Sequence, residues 1–299
     1  MTTTAVLLSC HGTVERIEDI PAFVTNIRRG RPPAPDVIDE VHRRFEHIGG
    51  SPLMRISRTQ ADALAARLGL PVVAAGRLWG PYPGEVLAPL YEAGVRRVLS
   101  LPLAPQSVHI YHATVREAAA KLDGLELRCA PPWGLEPALL DAFIEVIDEG
   151  LAKFPPASRA GVAILLSAHS LPQRVIAAGD PYERQFKEMA AEVERRLAPR
   201  GHPISVAFQS QGMTGDAWLG PDLPATFARL VAEGIRDALI APIGFVSDHV
   251  ETLYDLDVEA PRLAAAAGLA RLERAPTVNT RPRFIDALEA IARRELALG

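Results

Sequence analysis

Ala163-Ile-Leu-Leu-Ser-Ala-His169-Ser-Leu-Pro172 is the stretch from which the fold of this chain can be read. Ala163 to Ser167 are apolar or small and predict a short buried strand. A histidine stands where the strand should end, and Pro172 closes the loop beyond it. Open α/β sheets carry their chemistry beyond the carboxyl ends of their strands. A single histidine there is ordinarily a buried residue satisfied by hydrogen bonds.

The stretch has a twin. Ala5-Val-Leu-Leu-Ser-Cys-His11-Gly-Thr13 repeats its order at an offset of 158. A second pair follows in the same sequence: Gly94–Pro102 with Ser107 and His109, and Gly234–Pro242 with Ser247 and His249, at an offset of 140. Loop insertions absorb the difference between the offsets. The chain therefore reads as two similar halves, 1–155 and 156–299, with Pro155-Pro-Ala-Ser158 as the linker and histidines just past the strands of each half.

Working outward, the pattern predicts strands near Val6–Cys10, Pro71–Ala75, Val95–Leu101 and Leu125–Cys129, then Gly161–Ala168, Ile204–Phe208, Ala238–Pro242 and Leu269–Glu273. Helices are expected between them. Asp36 is the expected N-cap of a helix over Asp36–His47, another helix spans Ser57–Leu68, and a further one begins at Val115. Tyr182–Leu197, a mostly helical His249–Gly268 and a closing helix at Arg281–Leu298 complete the second half. Alternation of this kind predicts parallel sheets covered by helices on both faces, two Rossmann-like halves.

At 299 residues, 48% hydrophobic and 23% charged, the composition is that of an ordinary globular protein. A net charge of −4 argues against a nucleic-acid partner, which would require a basic face. Two cysteines, Cys10 and Cys129, are too few for an iron–sulfur cluster, and none is expected. Met1-Thr-Thr-Thr4 runs straight into a strand, so no signal peptide is expected and the cytoplasm is the expected compartment. The chain has no Walker loop, GxGxxG, GxSxG or HExxH.

Glu251, Asp255 and Glu259 follow the seventh strand at spacings of four, on one helical face with no Lys or Arg between them. Such an acidic line is either a solvated face or a ladder of hard oxygen ligands for a divalent cation. Glu251 lies nearest the strand end and so nearest His169. An imidazole facing a carboxylate suits borderline first-row metals, and both groups accept protons. Tyr182 opens a helix after Gly179-Asp-Pro, and Trp218 sits in a glycine-rich loop where it either caps a flat ligand or packs.

Five motifs, Ser167-Ala-His169-Ser-Leu-Pro172, Gly179-Asp-Pro-Tyr182, Phe208-Gln-Ser-Gln, Trp218-Leu-Gly-Pro221 and Gly244-Phe-Val-Ser-Asp-His-Val-Glu251-Thr-Leu, together resemble the ferrochelatases, which insert Fe²⁺ into a porphyrin. Asn26-Ile-Arg-Arg-Gly-Arg-Pro-Pro33 and Ile48-Gly-Gly-Ser-Pro-Leu53 extend the match almost end to end, and it is closest to the coproporphyrin III enzymes of Gram-positive bacteria. The resemblance implies a chelatase fold of two α/β halves about a cleft. It also implies His169 and Glu251 as metal ligands and proton acceptors, and Asp255 and Glu259 as an acidic line toward solvent. Ile27 and Arg28 would lie at the porphyrin edge, with Tyr182 and Trp218 as further substrate-binding candidates. His11 stands where that subgroup has a tyrosine facing the metal, and Gln106 where it has a histidine. The implied partners are porphyrin and Fe²⁺, with no other cofactor, transient contact with neighbouring haem-pathway enzymes, and a monomeric state. A cobalt or nickel chelatase acting on a sirohydrochlorin-type ring, which His11 supports, and a non-catalytic haem or metal carrier stay open as alternatives.

Overall fold

The computed structural model describes residues 3–212 and 215–297. In chain order the first elements are β1 (Thr3–Cys10), α1 (Ile20–Ile27), α2 (Pro35–His47), α3 (Leu53–Leu68), β2 (Val72–Gly76), α4 (Pro83–Glu92), β3 (Val95–Pro102), α5 (Val108–Ala119) and β4 (Glu126–Cys129). Then come α6 (Pro137–Ala152), β5 (Ala163–His169), α7 (Gln173–Ala177), α8 (Tyr182–Leu197), β6 (Ile204–Gln209), α9 (Leu223–Ala232) and β7 (Asp237–Ala241). The last are α10 (Val250–Leu253), a π-helical turn (Asp255–Glu259), α11 (Ala260–Ala267), β8 (Arg271–Arg274) and α12 (Pro282–Leu296). The expected ends of the chain at Met1 and Leu298 lie outside the described residues. Among the described residues no helix is long and apolar enough to cross a membrane.

The strands form two all-parallel four-stranded sheets, ordered β2-β1-β3-β4 and β6-β5-β7-β8. The duplication is visible bond by bond. Val6 pairs with Val72 and Ile164 with Ile204 at matching register. Val6 N–H donates to Pro71 O at 2.9 Å, and Ile164 N–H to Pro203 O at 2.8 Å. Ala130 N–H reaches Ser100 O at 3.0 Å, and Ala275 N–H reaches Ile240 O at 2.8 Å. The middles of the central strands are apolar because helices cover both faces; every residue from Ala5 to Leu8 and from Ala163 to Leu166 is at most 1% exposed.

The chain divides into two compact units. One holds everything up to Trp133, plus Ser247–Val250 and all residues from Asn279; the other holds Gly134–Val246 and Glu251–Val278. The expected division at 155 differs from this. Pro155–Ser158 lies inside the second unit, and α12, the last helix in sequence, belongs to the first. There α12 buries Phe284, Ile285, Leu288 and Ile291.

Several element starts differ from expectation. Ala34, in extended conformation, caps α2 and Pro35 takes its first position, so Asp36 sits in the first turn, where its charge suits the helix dipole without capping. The α3 helix begins four residues early because Leu53, Met54 and Ile56 are already buried. The α5 helix begins at Val108 and takes in His109, Tyr111 and His112. His112 is a core histidine: Nδ1 meets Ser100 Oγ and Nε2 meets Ala130 O, both at 2.9 Å. Burial pulls its pKa down, against the opposing effect of the Ala130 carbonyl.

Candidate active site

The second sheet delivers its polar residues at one edge. The β5 strand stays buried up to Ala168 and ends at His169, half-buried, while β6 ends at Gln209 beside it; the two are register partners. Ser167, buried one turn of the pleat earlier, donates to Gln209 Oε1 at 2.9 Å, and Gln209 Nε2 donates to the carbonyl of Glu251 at 3.0 Å. A side chain from the sheet thus holds the start of the acidic segment. The loop after β7 approaches closely enough for this only because residue 244 is glycine. A Cβ there would lie 2.5 Å from Ala168 Cβ and 2.7 Å from Ala168 Cα, while Gly244 N–H donates to Ser167 O at 3.0 Å.

His169 and Glu251 meet: Nε2 lies 3.3 Å from Glu251 Oε1. Nδ1 is held by the Ser170 carbonyl, which fixes the ring and requires that nitrogen to carry hydrogen. Their side chains are 30% and 31% exposed, open enough for a ligand to approach. Burial alone would lower the pKa of His169. The charge of Glu251 and the contact with its carboxylate oppose burial and win, helped by the Ser170 carbonyl and the charge of Asp255, and the value rises to about 9. At neutral pH the ring is therefore an imidazolium paired with a carboxylate.

Asp255 is buried and accepts from Ser210 Oγ; Ser210 has φ of 60°, in the left-handed region, immediately after Gln209. Within the mostly helical stretch expected over 249–268, a π-helical turn runs from Asp255 to Glu259. Its wider turn brings residues four apart closer to one line, and such turns recur at functional sites. Asp257 leaves the line and pairs with Arg274 at 2.6 Å. Glu259 is half-buried. Among the described residues no group of three or more His, Cys, Asp or Glu side chains is gathered so as to hold a metal ion. His169 and Glu251 are brought together, Asp255 acts on them through its charge, and Glu259 continues the line.

The remaining expected residues fall as follows. His11 directly follows β1 and is exposed. Ile27, 43% exposed, ends α1, and Arg28 caps it. Asn26 fastens that end: its Nδ2 donates to Tyr82 Oη at 2.9 Å and to Leu78 O at 3.3 Å. Tyr182 Oη donates to the carbonyl of His169 at 3.0 Å, so this tyrosine steadies the strand end from the first turn of α8. Trp218 is half-buried against Gly212, and its backbone is bridged to Pro172. Gln209 and Ser210 join the site without being singled out by the sequence, where their place just past a strand in Phe208-Gln-Ser-Gln is the one signal.

The ferrochelatase family model matches residues 3–296. A ferrochelatase of Herpetosiphon aurantiacus is 36% identical over 300 residues, spanning 96% of this chain and 97% of that protein. A coproporphyrin III ferrochelatase of Bacillus subtilis is 33% identical over 313 residues, spanning 97% of each. Among solved structures, SirB from Bacillus subtilis with Fe³⁺ has a TM-score of 0.65 at 14% identity, over 99% of this chain and 96% of that one. CbiX, described as the terminal enzyme for biosynthesis of sirohaem in denitrifying bacteria, has a TM-score of 0.58 at 18% identity, over 97% and 98%. These two share the chelatase fold. With a family match along nearly the whole sequence and relatives at a third identity, the chain belongs to the ferrochelatase family, lyases that insert iron into porphyrins.

Proposed function

We propose that this enzyme inserts Fe²⁺ into coproporphyrin III, with protoporphyrin IX second in preference, and that His169 and Glu251 carry the chemistry. The observation behind the site assignment is their 3.3 Å contact at the carboxyl edge of the second sheet. Insertion exchanges two pyrrole protons for a dication, so the site must receive protons and present the metal on one face of the ring. Once Nε2 has given up its proton, the imidazole and the carboxylate beside it supply one nitrogen and one oxygen donor, a set suited to a borderline first-row ion. Two protein donors leave coordination positions for the porphyrin nitrogens, and a metal that is substrate must leave its protein ligands.

The pair starts with the ring fully protonated, Nδ1–H on the Ser170 carbonyl and Nε2–H facing Glu251. The first acceptor is then Glu251, and His169 accepts once its own proton has passed on. Asp255, steadied by Ser210, and Glu259 form the acidic approach that draws the cation in. Ile27 and Arg28 lie along the macrocycle edge, with Arg28 paired to a propionate. Tyr182 holds the His169 carbonyl from behind, and Trp218 flanks the substrate. His11 is a further donor for the metal. The reading requires no cofactor beyond the iron substrate, a monomer in the cytoplasm, and transient contact with enzymes that supply porphyrin or consume the product. Coproporphyrin III is favoured because relatives bearing that name, in Bacillus subtilis and Anoxybacillus flavithermus, span nearly the whole chain.

The test is anaerobic Fe²⁺ insertion followed by absorbance, with the two porphyrins side by side. Faster multiple turnover on coproporphyrin III is expected, and His169→Ala should abolish insertion while porphyrin still binds. Preference for protoporphyrin overturns the substrate assignment. A single equivalent consumed identifies a carrier, and turnover only with Co²⁺ and a sirohydrochlorin identifies the other chelatase class.

A further inference from the structure

The two halves carry different chemistry at equivalent positions. In the second unit the strand ends hold His169 and Gln209, with Glu251 on the following segment. The matching register of β1 with β2 puts Arg77 in the place of Gln209, and the offsets put His11 in the place of His169 and Tyr111 in the place of Glu251. Arg77 N–H donates to Cys10 O at 3.0 Å and Leu78 N–H to His11 O at 2.8 Å, so Arg77 and His11 stand side by side at the edge of the first sheet.

The Arg77 guanidinium lies 5.7 Å from the centroid of the Tyr111 ring, within cation–π range. Its Nε is buried and has no hydrogen-bond partner. Ser9 Oγ, whose counterpart Ser167 donates to Gln209, is likewise buried without a partner. Arginines elsewhere in this unit find carboxylates, as Arg58 does with Glu15 at 2.7 Å and Arg128 with Glu295 at 3.5 Å. A planar cation held without an acid by an aromatic face is arranged for an acceptor from outside the chain, and a carboxylate matches its fork. Leu78, the next residue, receives the hydrogen bond from Asn26 that fastens Ile27 and Arg28.

We propose that Arg77 binds a carboxylate of the tetrapyrrole periphery, a second propionate anchor beside Arg28. The inference rests on the porphyrin reading above. Arg77 is half-buried with its Nε enclosed, so the incoming carboxylate would pair with the terminal nitrogens of a guanidinium that lies against Tyr111.

The experiment uses the full chain with Arg77→Met and Arg77→Lys, and metal-free porphyrin binding read by quenching of protein fluorescence. Coproporphyrin III and its tetramethyl ester are the two probes. Loss of one charge-assisted pair should weaken coproporphyrin III binding about tenfold or more in Arg77→Met, with partial recovery in Arg77→Lys and no change for the ester. In turnover KM for porphyrin should rise while kcat at saturation stays within about twofold. Unchanged affinity for coproporphyrin III, or equal loss with the ester, overturns the proposal. If the unaltered protein binds coproporphyrin III but inserts no metal, the functional reading falls while this binding comparison still decides the role of Arg77.

Discussion

Replacing Glu251 by glutamine keeps the shape of the pair and removes its charge, so His169 should give up its proton at far lower pH. At 3.3 Å and an effective dielectric constant of about 20, a full imidazolium–carboxylate pair is worth about 5 kcal/mol. The rise from 6.5 to about 9 corresponds to about 3 kcal/mol net, what remains after the cost of burial opposes Glu251, the Ser170 carbonyl and Asp255. At pH 7.5 the native ring is charged over neutral by about thirty to one; a ring returned to 6.5 is neutral by about ten to one. The assay is a pH titration of histidine Cε1–H signals by NMR on metal-free protein, with the His169 signal identified by its loss in His169→Ala. Native His169 should titrate near 9, and the Glu251→Gln ring at or below the ordinary histidine range. The same shift has a stability signature. Because the folded value is raised, the stabilisation is fully present below about pH 6.5 and is lost as pH rises through about 9. The Glu251→Gln protein should lack that decline. Native His169 titrating near 6.5, or a midpoint unmoved by the substitution, would refute the ion pair and with it the order of proton transfers above.

Asp255→Asn combined with Glu259→Gln should raise the apparent KM for Fe²⁺ several-fold with a smaller fall in kcat, and a metal dependence like that of the native enzyme would remove the acidic line from metal delivery. Gly244→Ala places a methyl group against the Ala168 backbone, so a destabilisation of about 2–3 kcal/mol and a melting temperature lower by several degrees are expected; a melting curve superimposable on the native one would show that the loop yields freely.

The sheets were legible because parallel strands buried on both faces are written as short apolar runs, and because the chain states the pattern twice. The helix Tyr182–Leu197 was legible to the residue, its apolar stripe at Phe186, Met189, Ala190, Val193 and Leu197 falling on one face. The start of α5 was hidden because its first turns hold His109, Tyr111 and His112, polar and aromatic residues that dilute the apolar period. The π turn at Asp255 was hidden for a different reason: spacing by four looks the same whether the backbone closes its hydrogen bonds four or five residues apart. At the site, the sequence offered His169, Glu251 and Asp255 through position and charge. Gln209 and Ser210 escaped because an amide and a hydroxyl have no signature until the fold shows what they hold. Periodicity likewise marked the apolar face of α12 without saying which unit it covers.

That helix gives the chain an order of assembly. A ribosome delivers β1 to β4 first, yet Phe284, Ile285, Leu288 and Ile291, which complete that unit's interior, are translated only after the whole of the second unit. The first unit must therefore wait, with apolar surface open, while the second is made and can close on its own residues. Until the residues from Asn279 onward emerge, the nascent first unit keeps exposed the kind of apolar surface that makes partly folded chains prone to aggregate.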